Sequence, residues 1–224
     1  METKLNIVEL FAGSREISKQ AEDMGFNSFS CDIQDFPGID RVGDILDMTI
    51  EDVPFIPSIV WASFDCTTYS IAAISKHRDG TDPKSDYAKT CDAVNIHSIS
   101  LIKQWLEINP NLKFFIENPR GMLRKMPFMQ DFERVTVWYC KYGDERAKPT
   151  DIWHNSKSWT PRPVCWNYKY DKQGKIIDRH CHHSSARRGA KTGTQGRKGS
   201  FERSLIPPQL IEDILTSIIE DAES

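Results

Sequence analysis

The first half of the chain alternates short apolar runs with amphipathic stretches. Residues 5–11 are mostly apolar and predict a buried strand. In the stretch that follows, Ile17, Ala21 and Met24 recur at helical spacing before Gly25. These residues therefore predict a strand, a glycine-containing turn and a helix.

The same alternation continues to about residue 150. Further strands are predicted over residues 26–30, 57–62 and 112–119, one more ends at Asp44, and another lies in the segment RVTVWYCKYG. A long helix is predicted between Tyr87 and Asn109, where apolar residues recur at helical spacing. Strands that alternate with helices indicate an α/β fold with a Rossmann-like, mostly parallel sheet and helices on both faces.

The second half is less regular. From Pro149 to about Ser200 the chain is rich in Trp, Pro, Gly, His and Arg and has little periodicity, which predicts a small irregular lobe. Two prolines then open a helix with one apolar stripe, formed by Leu210, Ile214, Leu215 and Ile218. We therefore expect a main domain over residues 1–150, an insertion over 151–203 and a C-terminal helix over 204–224 that packs back on the main domain.

Composition narrows the class of protein. The 224 residues are 39% hydrophobic and 27% charged with a net charge of −3, and no apolar stretch approaches the length of a membrane helix. The first residues do not have the pattern of an export signal, so we expect a cytoplasmic protein whose six cysteines are reduced. From Arg179 to Arg203 there are seven Lys or Arg residues and one acid, Glu202. This local excess of positive charge could bind phosphate groups.

Candidate chemistry lies where the predicted strands end. Gly13 follows the first strand at the mouth of a helix, where backbone amides can approach a ligand. Asp32 and Asp44 follow the next two strands, and carboxylates suit a ribose and an adenine amino group, which are the needs of S-adenosylmethionine. The alternative is that both aspartates simply end strands in turns.

Cys66 and Glu117 end two strands that are expected to be neighbours, so they would converge on one edge of the sheet. A cysteine and a carboxylate in one hollow are suited to covalent catalysis. Taken singly, each has a simpler explanation: a cysteine is often a small buried hydrophobe, and Glu117 could cap a helix or pair with Arg120 or Arg124.

Five motifs in order resemble those of the DNA cytosine-5 methyltransferases. They are VELFAG, GDI, CTTYS, ENP and YGDERAK, and SLIPPQLIEDI is similar to the final motif of that family. The segments KPTDIWHN and RRGAKTGTQGRKGSFERSLIPP look like those of compact bacteriophage-type members. The resemblance implies the Rossmann-like fold of S-adenosylmethionine-dependent methyltransferases and transfer of a methyl group to cytosine in DNA, in the host cytoplasm if a phage encodes the protein.

The resemblance also implies roles for individual residues. Cys66 would add to carbon-6 of a flipped cytosine, Glu117 would hold ring nitrogen 3 and the exocyclic amine, and Arg146 and Lys148 would steady the base. The cofactor would be held by Phe11, Ala12, Gly13, Ser14, Asp32, Ile33, Asp44 and Ile45. The DNA substrate would be held by Ser70, Asn118, Arg187, Arg188, Lys191 and Arg197.

Two positions depart from the pattern of the family. Asp65 stands where the family has a proline before the cysteine, and Thr67 stands where it has a glutamine. A carboxylate beside a thiol disfavours the thiolate unless it points away. A DNA-binding protein without turnover, and an enzyme that modifies another nucleobase or a nucleotide, are therefore alternative functions.

The region 151–203 carries two further hypotheses. Its basic residues, interleaved with glycines, suit a loop that follows DNA phosphates, or form a solvated basic loop. Cys165, Cys181 and either His182 or His183 could bind zinc, with Cys140 as a possible fourth ligand, although their spacing matches no standard finger. The alternative is that the cysteines lie in the core and the histidines face phosphates.

Overall fold

The structure is a computed structural model that describes residues 4–165, 169–174, 176–178 and 200–223. Strands and helices are interspersed through the first 120 residues. In chain order they are β1 (Asn6–Leu10), α1 (Glu16–Asp23), β2 (Asn27–Asp32), β3 (Arg41–Val42), β4 (Ile59–Ser63), α2 (Ile74–His77), β5 (Arg78–Asp79), β6 (Asp82–Pro83), α3 (Asp86–Ile108), β7 (Lys113–Pro119), β8 (Arg134–Trp138), β9 (Pro149–His154), β10 (Lys169–Tyr170), β11 (Ile176–Asp178), α4 (Ser200–Ser204) and α5 (Pro208–Glu223).

Seven of the strands form one sheet in the order β3-β2-β1-β4-β7-β9-β8. The pairs β2–β3, β1–β2, β1–β4 and β4–β7 are all parallel. The chain therefore builds outward from β1 through β2 to β3, and then returns to the other side of β1 to start again with β4. This reversal is the topological switch point at which open α/β sheets bind ligands, and the predicted Rossmann-like, mostly parallel sheet is confirmed.

The two faces of the sheet are covered by different helices. Glu9 points to the face of α1, since its carboxylate accepts hydrogen bonds from the backbone N–H and the hydroxyl of Ser18. The neighbouring positions Val8 and Leu10 point to the opposite face, where they join one buried apolar cluster with Trp105 of α3. Because side chains alternate along a strand, helices α1 and α3 lie on opposite faces, as expected.

Helix α3 begins and ends close to the predicted limits. The Ser85 hydroxyl accepts a hydrogen bond from Ala88 N–H and caps the first turn, and the helix runs to Ile108, just before Asn109 and Pro110. Cys91, Leu101 and Trp105 are buried as the apolar spacing predicts. Tyr87, in contrast, is 46% exposed, because it lies in the first turn, ahead of the part of the helix that covers the sheet.

The sequence interpretation was wrong for two strands. Strand β9 was expected to be part of an irregular lobe, but it lies inside the sheet between β7 and β8. The hydrophobic pattern did not predict this strand because it contains polar residues. One of them, Asp151, is buried and forms ion pairs with Arg124 and Arg134. The strand expected to end at Asp44 is only the two-residue β3, and residues 45–47 form a turn of 3₁₀-helix.

The chain divides into two compact units. One contains residues up to 135 together with 151–157, and the other contains 136–150 and the residues from 158 onward. In this division residues 151–157 belong with the sheet. In the second unit α5 packs against the turn at residues 139–142, and Arg162 forms an ion pair with Asp213 on that helix. None of the helices in the described ranges is long and apolar enough to cross a membrane.

Candidate functional site

The glycine turn after β1 is a tight connection with strained backbone angles. Phe11 and Gly13 both have positive φ angles, 60° and 51°. The Gly13 N–H donates to Asp32 Oδ2 at 2.8 Å, and Gln34 N–H donates to Asp32 Oδ1 at 2.9 Å. A Cβ built on Gly13 would meet no atom within 4 Å, so the backbone here borders open space. Asp32 thus fixes the turn, and each of its oxygens keeps a second lone pair for another donor.

The remaining predicted cofactor residues differ in the solvent exposure of their side chains. Ile33, beside Asp32, is 67% exposed. Asp44 caps the 3₁₀ turn by accepting from Leu46 N–H at 3.0 Å. Ala12 and Ile45 have buried side chains, so only their backbone atoms are suited to contact a ligand. Ser14 and Phe11 are half-buried in the turn itself.

The segment that carries Cys66 is held by a buried tyrosine. Residues 67–69 form a 3₁₀ turn whose last residue, Tyr69, is fully buried. The Tyr69 hydroxyl donates to Asp92 Oδ1 at 2.6 Å and accepts from Asn95 Nδ2 at 2.9 Å, both on α3. Burial raises the pKa of the Tyr69 hydroxyl, and the hydrogen bond to Asp92 raises it further, so this group stays a donor. Cys66, at the start of the turn, is exposed.

Arg78 supports the same turn from the side. Its Nε donates to the Thr68 carbonyl oxygen at 3.0 Å, and its guanidinium forms an ion pair with Asp92 at 2.6 Å. The guanidinium carbon also lies 4.3 Å from the centroid of the Tyr69 ring. Because Arg78 and Asp92 are both well shielded from water, this ion pair resists the displacement of the Cys66 turn.

Glu117 and Asn118 end β7 next to the Cys66 segment. Glu117 is paired in register with Ser63 across the parallel strands β4 and β7. One candidate loop follows β4 and the other follows β7. Phe64 N–H donates to the Glu117 carbonyl oxygen at 3.3 Å, and Asn118 Nδ2 donates to the Phe64 carbonyl oxygen at 2.8 Å. Glu117 is 4% exposed and Asn118 is fully buried. The Asn118 Oδ1 atom is buried with no hydrogen-bond partner among the described residues.

Two more contacts join these loops further along the chain. Met122 N–H donates to the Tyr69 carbonyl oxygen at 2.8 Å. A Cβ on Gly121 would lie only 2.5 Å from that same oxygen, so glycine is required for this close approach. The loops after β4 and β7 therefore form one connected edge that carries Cys66, Ser70, Glu117 and Asn118.

Asp65 turns its carboxylate toward α3. Its Oδ1 accepts from Thr67 N–H at 2.6 Å, and its Oδ2 accepts from the hydroxyl of Tyr87. The first of these bonds closes an Asx turn, which fixes the backbone around Cys66. Sequence analysis missed Tyr87 as a site residue, because the only available signal was an aromatic residue in the first turn of a helix.

Arg146 and Lys148 lie in the second unit and are bound within it. Arg146 is 3% exposed, pairs with Asp144 at 2.5 Å, and donates to the carbonyl oxygens of Glu202, Arg203 and Leu205. Lys148 Nζ lies 4.5 Å from the centroid of the Tyr139 ring and 3.5 Å from the Ser204 carbonyl oxygen. These bonds connect the 144–148 segment to the segment that enters α5.

The other predicted site residues lie outside the described part of the chain. They are Arg187, Arg188, Lys191 and Arg197 of the basic segment and Cys181 and His182 of the candidate zinc site. Cys165 is described and is buried. Among the residues that the structure describes, no group of three or more His, Cys, Asp or Glu side chains is placed to bind a metal.

Comparisons with known proteins return weak structural likenesses. No protein-family model and no curated protein sequence matches the chain. A methyltransferase of Entamoeba histolytica, EhMeth, is 15% identical with a TM-score of 0.49, over 73% of this chain and 57% of that one. The S. pombe Dnmt2 methyltransferase is 10% identical with a TM-score of 0.48, over 72% and 52%. A Spodoptera frugiperda DNMT2 mutant is 14% identical with a TM-score of 0.46, over 70% and 52%.

The chain spans only a little more than half the length of these three proteins. At such low identities the fold of the chain rests on its own strand order and on the parallel pairings described above.

Proposed function

We propose that the chain is an S-adenosylmethionine-dependent methyltransferase that methylates carbon-5 of cytosine in DNA. One observation carries the proposal: the exposed Cys66 and the buried Glu117–Asn118 end adjacent parallel strands, and hydrogen bonds join their loops. The glycine turn ends β1, which is the neighbour of β4 in the same sheet. A cysteine, a carboxylate and a glycine turn thus lie at the carboxyl edge of one sheet, the edge at which open α/β sheets bind ligands.

The residues at the end of β1 and β2 fit the cofactor. Open space borders Gly13, Asp32 offers carboxylate lone pairs for ribose hydroxyls, and the exposed Ile33 offers an apolar surface for a purine ring. Gly13, Asp32 and Ile33 would hold the cofactor, with Asp44 near its adenine. The cofactor supplies an activated methyl group on a sulfonium.

Cys66 would act as the nucleophile. Carbon-5 of cytosine is too weak a nucleophile to take a methyl group unaided, so the thiolate adds at carbon-6 and makes carbon-5 electron-rich. After carbon-5 has received the methyl group it loses its proton to a base, and the carbon–sulfur bond breaks to restore the ring double bond. Cys66 therefore leaves this cycle as a thiolate, with no net oxidation or reduction.

Glu117 would bind the face of the base that distinguishes cytosine. Its carboxyl group holds ring nitrogen 3 and the exocyclic amine, so it balances the charge that develops in the ring after addition of the thiolate. Asn118 would complete this contact, since its Oδ1 is a buried acceptor that lacks a described partner. A base inside a duplex cannot reach this edge, so the target cytosine must be flipped out.

Radiolabelled methyl transfer tests the proposal. We expect that the full chain incubated with tritiated S-adenosylmethionine and duplex DNA deposits label as 5-methylcytosine. Cys66→Ser should reduce the label to background, while Cys140→Ser, a change at a half-buried cysteine of the second unit, should retain it. Label in DNA that survives Cys66→Ser would refute the role of the thiol.

The same assay separates the alternative functions. DNA binding without label would indicate a binding protein that has lost turnover. Label on RNA or on a free nucleotide, with none on duplex DNA, would indicate a methyltransferase with another substrate. Both outcomes would overturn the DNA cytosine-5 assignment.

A further inference from the structure

We propose that Asp65 and Tyr87 form a positioning pair that fixes the Cys66 turn and draws the Asp65 charge away from the thiol. The inference deepens the proposed function and rests on Cys66 as its nucleophile. It concerns Asp65, which stands where the family that the motifs resemble has a proline, a residue that restricts the backbone.

The geometry gives Asp65 two separate tasks. The bond from Thr67 N–H to Oδ1, at 2.6 Å, closes a turn across Cys66 and restricts the same backbone that a proline would restrict. The bond from the Tyr87 hydroxyl to Oδ2 fastens this turn to the start of α3. Asp65 therefore replaces a covalent restraint with two hydrogen bonds, one local and one to a helix.

Several groups surround the pair. The Tyr87 ring contacts His77 edge-on, with centroids 6.0 Å apart, and His77 Nδ1 is bonded to the Ser85 hydroxyl. Burial raises the pKa of Cys91, and the nearby Asp65 charge raises it further. Arg78 forms an ion pair with Asp92, and Asp86 forms one with Lys89 in the first turn of α3. Asp65 is the acidic residue directly before Cys66 in the sequence, and the Tyr87 hydroxyl donates to it.

The hydrogen bond to Tyr87 matters for the reactivity of the thiol. A carboxylate close to a thiol raises the pKa of the thiol and reduces the thiolate fraction. A hydroxyl that donates to the carboxylate stabilises its charge and orients it toward α3. Partial burial and the bond to Asp65 raise the pKa of Tyr87, so that it remains protonated and continues to donate.

The pH profile of Cys66 alkylation tests the pair without requiring methyl transfer. Iodoacetamide reacts with the thiolate, and peptide mapping by mass spectrometry assigns the adduct to Cys66. In Tyr87→Phe we expect the alkylation midpoint to rise, with roughly a three- to tenfold slower reaction at pH 7 and little change at pH 10. Adding Asp65→Asn to Tyr87→Phe should return the midpoint to the wild-type value or below it.

Tyr69→Phe is the matched control, because it breaks a tyrosine–aspartate bond on the same turn while Asp92 keeps its ion pair with Arg78. It should leave the midpoint unchanged, even if it loosens the turn. Asp65→Asn alone should not raise the midpoint. An unchanged midpoint in Tyr87→Phe, or a raised midpoint that Asp65→Asn does not reverse, would overturn the proposal.

Failure of this pair and failure of the proposed function give different results. If the midpoint moves as expected but no label reaches DNA, the pair stands and the DNA assignment fails. If label reaches DNA but the midpoint does not move, the function stands and the pair fails.

Discussion

Glu9 is a carboxylic acid inside the folded sheet, 3% exposed on the face covered by α1. It accepts from the hydroxyl of Ser18 at 2.5 Å and from Ser18 N–H at 2.8 Å. Burial raises its pKa from 4.5 to about 7, although these hydrogen bonds lower it in part. The folded chain therefore binds a proton at Glu9 more tightly than the unfolded chain does.

This proton affinity predicts a pH dependence of stability. The stabilisation is complete below pH 4.5, is lost as the pH rises through about 7, and changes little above that. Between these limits the Glu9 contribution to the free energy of unfolding should fall by roughly 3 kcal/mol. Urea unfolding at pH 5 and pH 8 should show a smaller difference for Glu9→Gln than for the wild type.

Glu51→Gln is the control for this measurement, because Glu51 is exposed in a short turn. It should reproduce the wild-type difference between pH 5 and pH 8. If Glu9→Gln also reproduces it, then Glu9 is not the group that titrates.

At the level of loops and strands, the candidate site depends on the close approach of Gly121 to the Tyr69 carbonyl oxygen. In Gly121→Ala the new Cβ would lie 2.5 Å from this oxygen, so the backbone of one loop must move. We expect a loss of about 2 kcal/mol in the free energy of unfolding, measured by urea denaturation, and a slower methyl transfer.

Gly80→Ala separates this steric effect from ordinary glycine strain. A Cβ on Gly80 would meet no atom within 4 Å, and only its φ of 58° is unfavourable for alanine. The cost there should be about 1 kcal/mol, with methyl transfer less affected. Equal effects at the two glycines on both stability and rate would argue against the close packing of the loops.

Strand β9 depends on a buried carboxylate. Asp151 has a 1% exposed side chain and binds Arg124 at 2.5 Å and Arg134 at 3.2 Å. Removing it in Asp151→Ala leaves two guanidinium groups without their shared partner and should cost about 3 kcal/mol of unfolding free energy. Thermal unfolding checks this, and a change in stability below 1 kcal/mol would contradict the structural role of the pair.

The same residues explain which elements could be predicted from sequence. β1, β4 and β7 are dominated by apolar residues, and α3 has a capping serine and a periodic apolar face, so local patterns identify them. β9 was missed because its burial depends on partners 17 and 27 residues away in the chain. The contact between the loops after β4 and β7 follows from the pairing of these strands, whereas the Asp65–Tyr87 bond depends on side-chain geometry that no spacing reveals.

The proposed activity needs the switch point of the sheet as a whole. The crossover from one side of β1 to the other places the glycine turn, the Cys66 turn and the Glu117 loop at the ends of three adjacent strands, β1, β4 and β7. No single motif carries the chemistry. The function therefore depends on the topology that brings these chain segments to one edge.

Covalent trapping tests this account most directly. In duplex DNA with 5-fluorocytosine at the target position, carbon-5 carries fluorine in place of hydrogen. A base cannot remove this fluorine as it would remove a proton, so the carbon–sulfur bond should persist once the methyl group has been transferred. We predict a stable protein–DNA adduct that forms only with S-adenosylmethionine and that peptide mapping locates at Cys66. An adduct at another residue, or methylated cytosine in ordinary DNA without any trapped adduct, would contradict the account.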